Sequence, residues 1–362
     1  MDASRPSSAD PIPPTPGTGQ NYTAEAKAAA EEAKAAVASI PDIIVGKKDG
    51  TGEIFNDYAN NQATGNYATA VGSWTKATAK CAYAEGFNTK AQGETSHAQN
   101  EKTIASGRSS HAGGNASQAT GDYSFAHGIR AQATAKNSFA LGADVLAAGE
   151  HSAAIGNETR ALSNQSLAIG YGSLTTGNRS FAGGARTVAE GRDSFAFGLG
   201  EGVGMTLSVR SIDKKQRKVT TSASLDEQPY WKIGDYLLFA DQDESIVFIT
   251  PIESKHAINS YTVAHDFPSE YQGLGTVRLY KPTIAKADES FAFGTGVQAT
   301  AKNQAVFGTH NAVDDSASFI IGNGQAGAQK NAFSVMKDGS VKIGATVITE
   351  EQLQKLLALL DA

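Results

Sequence analysis

The groups in this sequence that could do chemistry are paired carboxylates, a glycine-rich run, a lone cysteine and a set of spaced histidines. Adjacent acids stand at Asp288-Glu289 and Asp314-Asp315, the residue type that glycoside hydrolysis uses in pairs. No partner stands at a defined spacing from either pair, and both fall at turns of a repeat, so they read as solvated turn residues. Residues 198–204 resemble a phosphate-cradling loop only in their glycines. They open a strand-like segment, whereas a phosphate loop opens a helix. Cys81 is the single cysteine; it excludes an intrachain disulfide framework and has no histidine arranged as a base. His97 and His111 occupy equivalent positions fourteen residues apart, and His127 lies two positions further along its own strand. Around an axis, three copies could form a ring of imidazoles suited to a metal or an anion. Polar interior packing accounts for them without one, so no cofactor, no metal and no enzymatic activity are expected.

Composition narrows the partners. A net charge of −6 gives no electrostatic case for nucleic acid or an anionic membrane. No window approaches eighteen apolar residues, so membrane insertion is not expected. Residues 1–20 lack an apolar signal region, so the expectation is a chain made in the cytoplasm without a signal peptide.

What positions every residue named above is a fourteen-residue beat. Gly72, Gly86, Asn100, Gly114, Gly128, Gly142, Gly156, Gly170, Gly184 and Gly198 keep it without a slip, and Gly294, Gly308 and Gly322 resume it in phase. In seven of the first ten registers the residues before the anchor read Ser-x-Ala-x-Gly, as in Ser138-Phe139-Ala140-Leu141-Gly142. Seven residues before the anchors lies a second turn, such as Ala63-Thr64-Gly65 or Ala189-Glu190-Gly191. Such regularity means an array of stacked coils.

In a strand, alternate residues face opposite sides. Serine, alanine and glycine then share a face small enough for the inside of a narrow coil. The other face carries Phe139/Leu141, Ile155, Leu167/Ile169, Phe181, Phe195/Phe197, Phe291/Phe293 and Phe319/Ile321. Each large side chain gains about 1.5–3 kcal/mol on burial, so this second apolar face calls for self-association about an axis. Towards the N-terminus the same positions hold Tyr83/Glu85, His97/Gln99 and His111/Gly113, which predicts a wetter interior there.

Around the array, composition divides the chain. Residues 1–20 hold five prolines and read as an extended attachment tail. Residues 21–41 read as a short helix with a seam at Ala26, Ala30, Ala33, Val37 and Ile40, and residues 42–65 as an entry hairpin. The β-roll repeats span 66–200 and 287–326. Between them, 201–286 carry six alternating runs and read as an inserted small β barrel or sandwich. Residues 327–362 read as a hairpin turning at Asp338-Gly339 followed by a helix, with Thr349 and Gln352 as a capping box.

These repeats resemble the left-handed parallel β-roll heads of trimeric autotransporter adhesins (YadA-like heads). They resemble still more the "SHAEG"-type repeats in tail fibres and receptor-binding proteins of phages that infect Gram-positive bacteria. The motifs stand here as Tyr83-Ala84-Glu85-Gly86, Ser96-His97-Ala98-Gln99-Asn100 and Ser110-His111-Ala112-Gly113-Gly114. The likeness covers roughly 52–198 and 287–362, and it implies an all-β, homotrimeric left-handed parallel β-roll with short N- and C-terminal helices. It further implies a non-enzymatic fibre of a phage or phage-like particle, with residues 1–41 meeting a baseplate or tail protein. The receptor is expected to be a bacterial cell-surface glycan or protein, a bacterial adhesin or a purely structural collar being the alternatives. A rod built by stacking needs no interruption, so the insert is the expected recognition element. Its candidates are the aromatics Tyr230, Trp231, Tyr236, Tyr261 and Tyr271 and the basic turn Lys214, Lys215 and Arg217.

Overall fold

Residues 20–38, 53–55, 60–225, 235–241, 247–267, 271, 273 and 275–360 are described by the computed structural model. The fourteen-residue period is one coil of a β-solenoid. A typical coil contributes a five-residue strand, such as Phe139–Ala143, and a two-residue strand, such as Leu146–Ala147. Successive coils pair parallel and in register, with Phe139 opposite Ala153, Gly142 opposite Gly156 and Ala147 opposite Ala161. The short strands make one 12-stranded sheet and the longer ones line the other side of the rod.

Between the sheets run two columns of alanine, among them Ala112, Ala126 and Ala140 on one side and Ala119, Ala133 and Ala147 on the other, all fully buried. Thr175 takes the same position in one column, and Val306 and Ile320 in the other. The serines are buried as well, and most satisfy their own turn: Ser152 Oγ donates to the Gly149 carbonyl at 2.6 Å and Ser194 Oγ to Gly191 at 2.6 Å. At the anchor position the backbones of neighbouring coils touch. Gly142 has φ 134°, and a Cβ there would lie 1.8 Å from the Gly156 carbonyl oxygen, so neither the conformation nor the space admits a side chain.

The coil turns twice, at left-handed residues spaced seven apart from Tyr67 to Asp193. Trp74, Cys81, Arg130 and Glu158 adopt this conformation as readily as Asn88 or Asn137. From Cys81 onwards their N–H groups are fixed to the preceding coil, as in Tyr123 to the Arg108 carbonyl at 2.7 Å and Arg130 to Asn115 at 2.8 Å. That bond holds a conformation that costs side-chain-bearing residues energy.

The ends of the array are closed by amides. Asn61 Oδ1 accepts the Thr75 N–H at 3.0 Å. At the other end Gln304 replaces the serine and donates to the carbonyls of Asp314 and Ala317, both at 2.8 Å. The entry differs from the expected hairpin over 42–65: Glu53–Phe55 pairs parallel with Thr69–Ser73 and is already a rung of the rod. Residues 42–52 and 56–59 lie outside the described residues, as does the tail over 1–19. The helix Gln20–Ala38 is present.

The insert leaves the rod after Leu199 and is a closed barrel of six strands: Glu201–Asp213, Lys218–Thr221, Tyr236–Asp241, Val247–Ala257, Ser260–Val263 and Gly275–Lys281. Val209, Val219, Leu237, Phe239, Ile252, Val263, Val277 and Leu279 fill it. The rod resumes at Thr283–Ala285, which pairs with Thr187–Ala189, four residues before the 287 expected from the glycine beat. Pairing of Gly198 with Gly294 continues the ladder as though the insert were absent. After the last coil the chain turns antiparallel through Asn331–Met336, Val341–Ile343 and Thr346–Ile348. The helix Glu350–Leu360 follows, with the reciprocal Thr349–Gln352 bonds at 3.0 and 3.3 Å.

Candidate functional site

In-register stacking turns the apolar positions into two continuous columns on one face of the rod. Phe139, Leu167, Phe181, Phe195, Phe291 and Phe319 lie in the first, and Leu141, Ile155, Ile169, Phe197, Phe293 and Ile321 in the second. Phe195 and Phe291, on either side of the insert, stack with ring centroids 4.7 Å apart and planes 4° from parallel. Stacking along the column covers part of each ring but leaves the face open. Leu141, Phe197 and Phe293 remain 38, 40 and 43 % exposed in the single chain.

Continued towards the N-terminus, the same face becomes polar. His97 meets His111 edge-on at 4.8 Å, and His111 stacks on Phe125 at 5.0 Å. His97 Nε2 lies 3.5 Å from a Glu85 carboxylate oxygen, and Gln99 Nε2 lies 3.4 Å from His111 Nε2. Gly113 leaves the notch that His127 fills, since a Cβ there would stand 2.4 Å from His127 Nδ1. Burial, followed by the neighbouring imidazoles of His97 and His127, holds His111 below the ordinary histidine value. Among the described residues no three His, Cys, Asp or Glu side chains of one chain converge as a metal site.

The insert's tyrosines sit elsewhere than a recognition surface requires. Tyr261 and Tyr271 are fully buried in the barrel core, and the Tyr261 hydroxyl donates to the Ile258 carbonyl at 3.0 Å while accepting the Leu225 N–H at 2.7 Å. Tyr236 is buried against Leu174, Val188 and Ile284 of the rod, and its hydroxyl donates to the Glu190 carboxylate. Burial first, and then that carboxylate, pushes the Tyr236 phenol well above the ordinary tyrosine range. A small barrel needs large side chains to fill it, and these three tyrosines supply core and joint rather than a surface. Tyr230 and Trp231 lie outside the described residues. Lys214 and Lys215 are exposed, whereas Arg217 is tied down by Glu253 at 3.1 Å and by the Ala264 carbonyl.

The joint itself was hidden from sequence reasoning, although a signal existed. The outward positions of the short strands are mostly polar, at Lys76, Lys90, Gln118, Gln132 and Arg160, with Ile104 and Leu146 isolated among them, and become apolar in succession only at Leu174, Val188 and Ile284, where the barrel covers them. The paired acids behave as turn residues. Asp288 accepts the Arg192 N–H at 2.8 Å, and Asp315 accepts the Thr300 hydroxyl at 2.5 Å. Cys81 is exposed at a left-handed corner, and residues 201–204 belong to a barrel strand.

With this geometry in view, the family comparison is consistent with it. Residues 59–80, 119–144, 147–173 and 162–187 match the model of the YadA head domain repeat. A search of curated proteins found no match.

Proposed function

We propose that this chain, a β-roll of YadA head repeats, is a homotrimeric, non-enzymatic attachment fibre in which the rod is a stiff spacer. The observation that carries the reading is the two-column apolar face. Its phenylalanine, leucine and isoleucine side chains each stand to gain, from covering what remains exposed, less than half of the about 1.5–3 kcal/mol of full burial, and identical columns meet most economically around a symmetry axis. Trimeric association is the arrangement of YadA-like adhesins. The insert, held rigidly by Tyr236, carries recognition of a bacterial surface glycan or protein through its exposed parts, with Lys214 and Lys215 as candidates. Three weak sites on one fibre would act together. Residues 1–41 attach the fibre to a tail or baseplate protein of a phage or phage-like particle, a reading that rests on the Ser-His-Ala motifs.

The YadA repeat match favours a second reading equally, a bacterial surface adhesin. Immunolabelled electron microscopy separates the two, by decoration of particle tails or of cell envelopes. Sedimentation tests the trimer: the wild-type chain is expected at three times the monomer mass, and Ile169→Asp combined with Phe197→Asp as monomer. A monomeric wild type would sink the proposal. Removal of residues 201–282, with Leu174→Ser and Val188→Thr to restore a polar outer face, is expected to leave the trimer intact and abolish cell binding. Retained binding would move the site to the rod or its C-terminal end.

A further inference from the structure

Where the last coil meets the antiparallel extension, the chain encloses an open cleft of about 490 Å³, lined by Lys330, Asn331, Ser334, Lys342 and the backbone of Ala312 and Gly344. The fold fixes its walls. The Lys330 N–H donates to the His310 carbonyl at 3.0 Å, the Asn331 amide to the Ala312 carbonyl at 2.8 Å and the Gly344 N–H to Ala332 at 3.0 Å. Ser334 and Lys342 are cross-strand partners and therefore share a face, opposite the one on which Phe333 pairs with Ile321. Association through the apolar columns thus leaves the cleft accessible.

Two features make it more than a gap. The first is charge. Lys342 Nζ is 3.0 Å from Asp314, whose carboxyl is held below the usual carboxylate range, chiefly by the Ser316 hydroxyl and also by Lys342. Lys330 makes no ion pair among the described residues, so the cleft keeps a net positive charge. The second is unused hydrogen-bonding capacity. Asn331 Oδ1 is buried without a partner. Ser334, only 1 % exposed, lines the same cleft. A buried polar atom without a partner is uncommon, and the Asn331 oxygen belongs to the same cleft as the lysines.

We propose that this cleft binds an acidic saccharide unit, with its carboxylate or phosphate on Lys330 and Lys342 and its hydroxyls on Asn331 and Ser334. A bare anion would satisfy the lysines but leave the Asn331 oxygen, itself an acceptor, facing negative charge. A sugar hydroxyl supplies the missing donor. The volume lies within the range of small-molecule sites, roughly 300–1,000 Å³, and the cleft has no aromatic wall on which a nucleobase could stack.

The test uses the full chain and ligand-observed NMR titration with three probes: a hexuronate disaccharide, a short glycerol phosphate oligomer and a neutral glucose disaccharide. At least one acidic probe is expected to bind and the neutral one not, and whichever acid binds identifies a carboxylate or a phosphate as the recognised group. Lys330→Ala is expected to weaken binding about tenfold, the loss of one charge-assisted contact, and to leave the unfolding temperature unchanged because Lys330 is exposed. Ser334→Ala should weaken it less. Binding by neither acid, equal binding of the neutral probe, or an undiminished affinity in Lys330→Ala would overturn the proposal. The titration reads the cleft directly, whatever the oligomeric state or the role of the insert.

Discussion

The serine, alanine and glycine that recur in most coils have three separate physical reasons, and only one could be read from the chain. Period-two alternation placed all three on the inner face. That Ser152 closes its own turn, with the Gly149 carbonyl as acceptor, depends on a backbone path that spacing alone does not reveal. Ser152→Ala should remove the shorter of two bonds to that carbonyl, which the Ser152 N–H also reaches at 3.2 Å, and cost about 0.5–1.5 kcal/mol, measurable by denaturant unfolding; an unchanged midpoint would mean the hydroxyl is dispensable. The left-handed corners were also unreadable, because residues as different as Trp74, Cys81 and Glu158 occupy them and interstrand hydrogen bonds impose the conformation. The histidines were found by spacing, yet their consequence is electrostatic. His111 sits among Glu85, His97, Gln99 and His127 with its folded value below the ordinary 6.5. Its contribution to stability is therefore complete above that value and declines as pH falls through it, since the unfolded chain takes up the proton first. Thermal melts between pH 7.5 and 5 should show stability falling with acidity, and His111→Asn should flatten that slope. The same slope in the variant would assign the effect to other groups.

At the scale of elements, the rod and the six barrel strands were legible because each strand alternates cleanly. The seat of the barrel on the rod was not, since it joins Tyr236 to Leu174, Val188 and Ile284 across long sequence separations. For the same reason Tyr236 looked like an exposed aromatic anchor: composition cannot distinguish a ring that faces solvent from one that closes a joint. Tyr236→Phe keeps the packing but takes the hydroxyl from the Glu190 carboxylate, a loss of about 1.5–3 kcal/mol for a bond to a charged acceptor. Because the barrel has its own core, this loss should appear as loosening of the joint rather than unfolding of either part. Hydrogen exchange should quicken in Tyr236–Asp241 and Thr187–Ala189 while Val219 and Val263 stay protected. Uniform protection in the variant would count against the joint. The amides at the rod ends, Asn61 and Gln304, are the other feature seen only in three dimensions: each departs from the repeat where a short strand, Gln62–Ala63 or Gln298–Ala299, has a neighbour on one side alone.

Across the whole molecule, stacking makes stability local. Each coil contacts chiefly the coils above and below it, so the rod behaves as a one-dimensional array in which every coil contributes its own terms and those of its neighbours. The backbone ladder and the alanine columns are nearly constant along it, so differences between coils arise on the apolar face. From Phe125 onwards that face offers phenylalanine, leucine and isoleucine at most positions, whereas between Thr69 and Gly113 it is mostly polar, with Thr69, Val71, Tyr83, Glu85, His97, Gln99 and His111. Burial against neighbouring copies stabilises the first set and requires polar groups of the second to find partners. A gradient of protection along one rod is therefore expected. Amides of Thr69–Ser73 and Tyr83–Phe87 should exchange faster than those of Phe139–Ala143 and Phe195–Leu199, although the ladder bonds are alike. Ile169→Asp with Phe197→Asp should then erase much of the difference, because it removes the association that protects the apolar coils. Equal protection in the wild type would mean that the ladder alone sets the stability of the rod and that the apolar face contributes little to it.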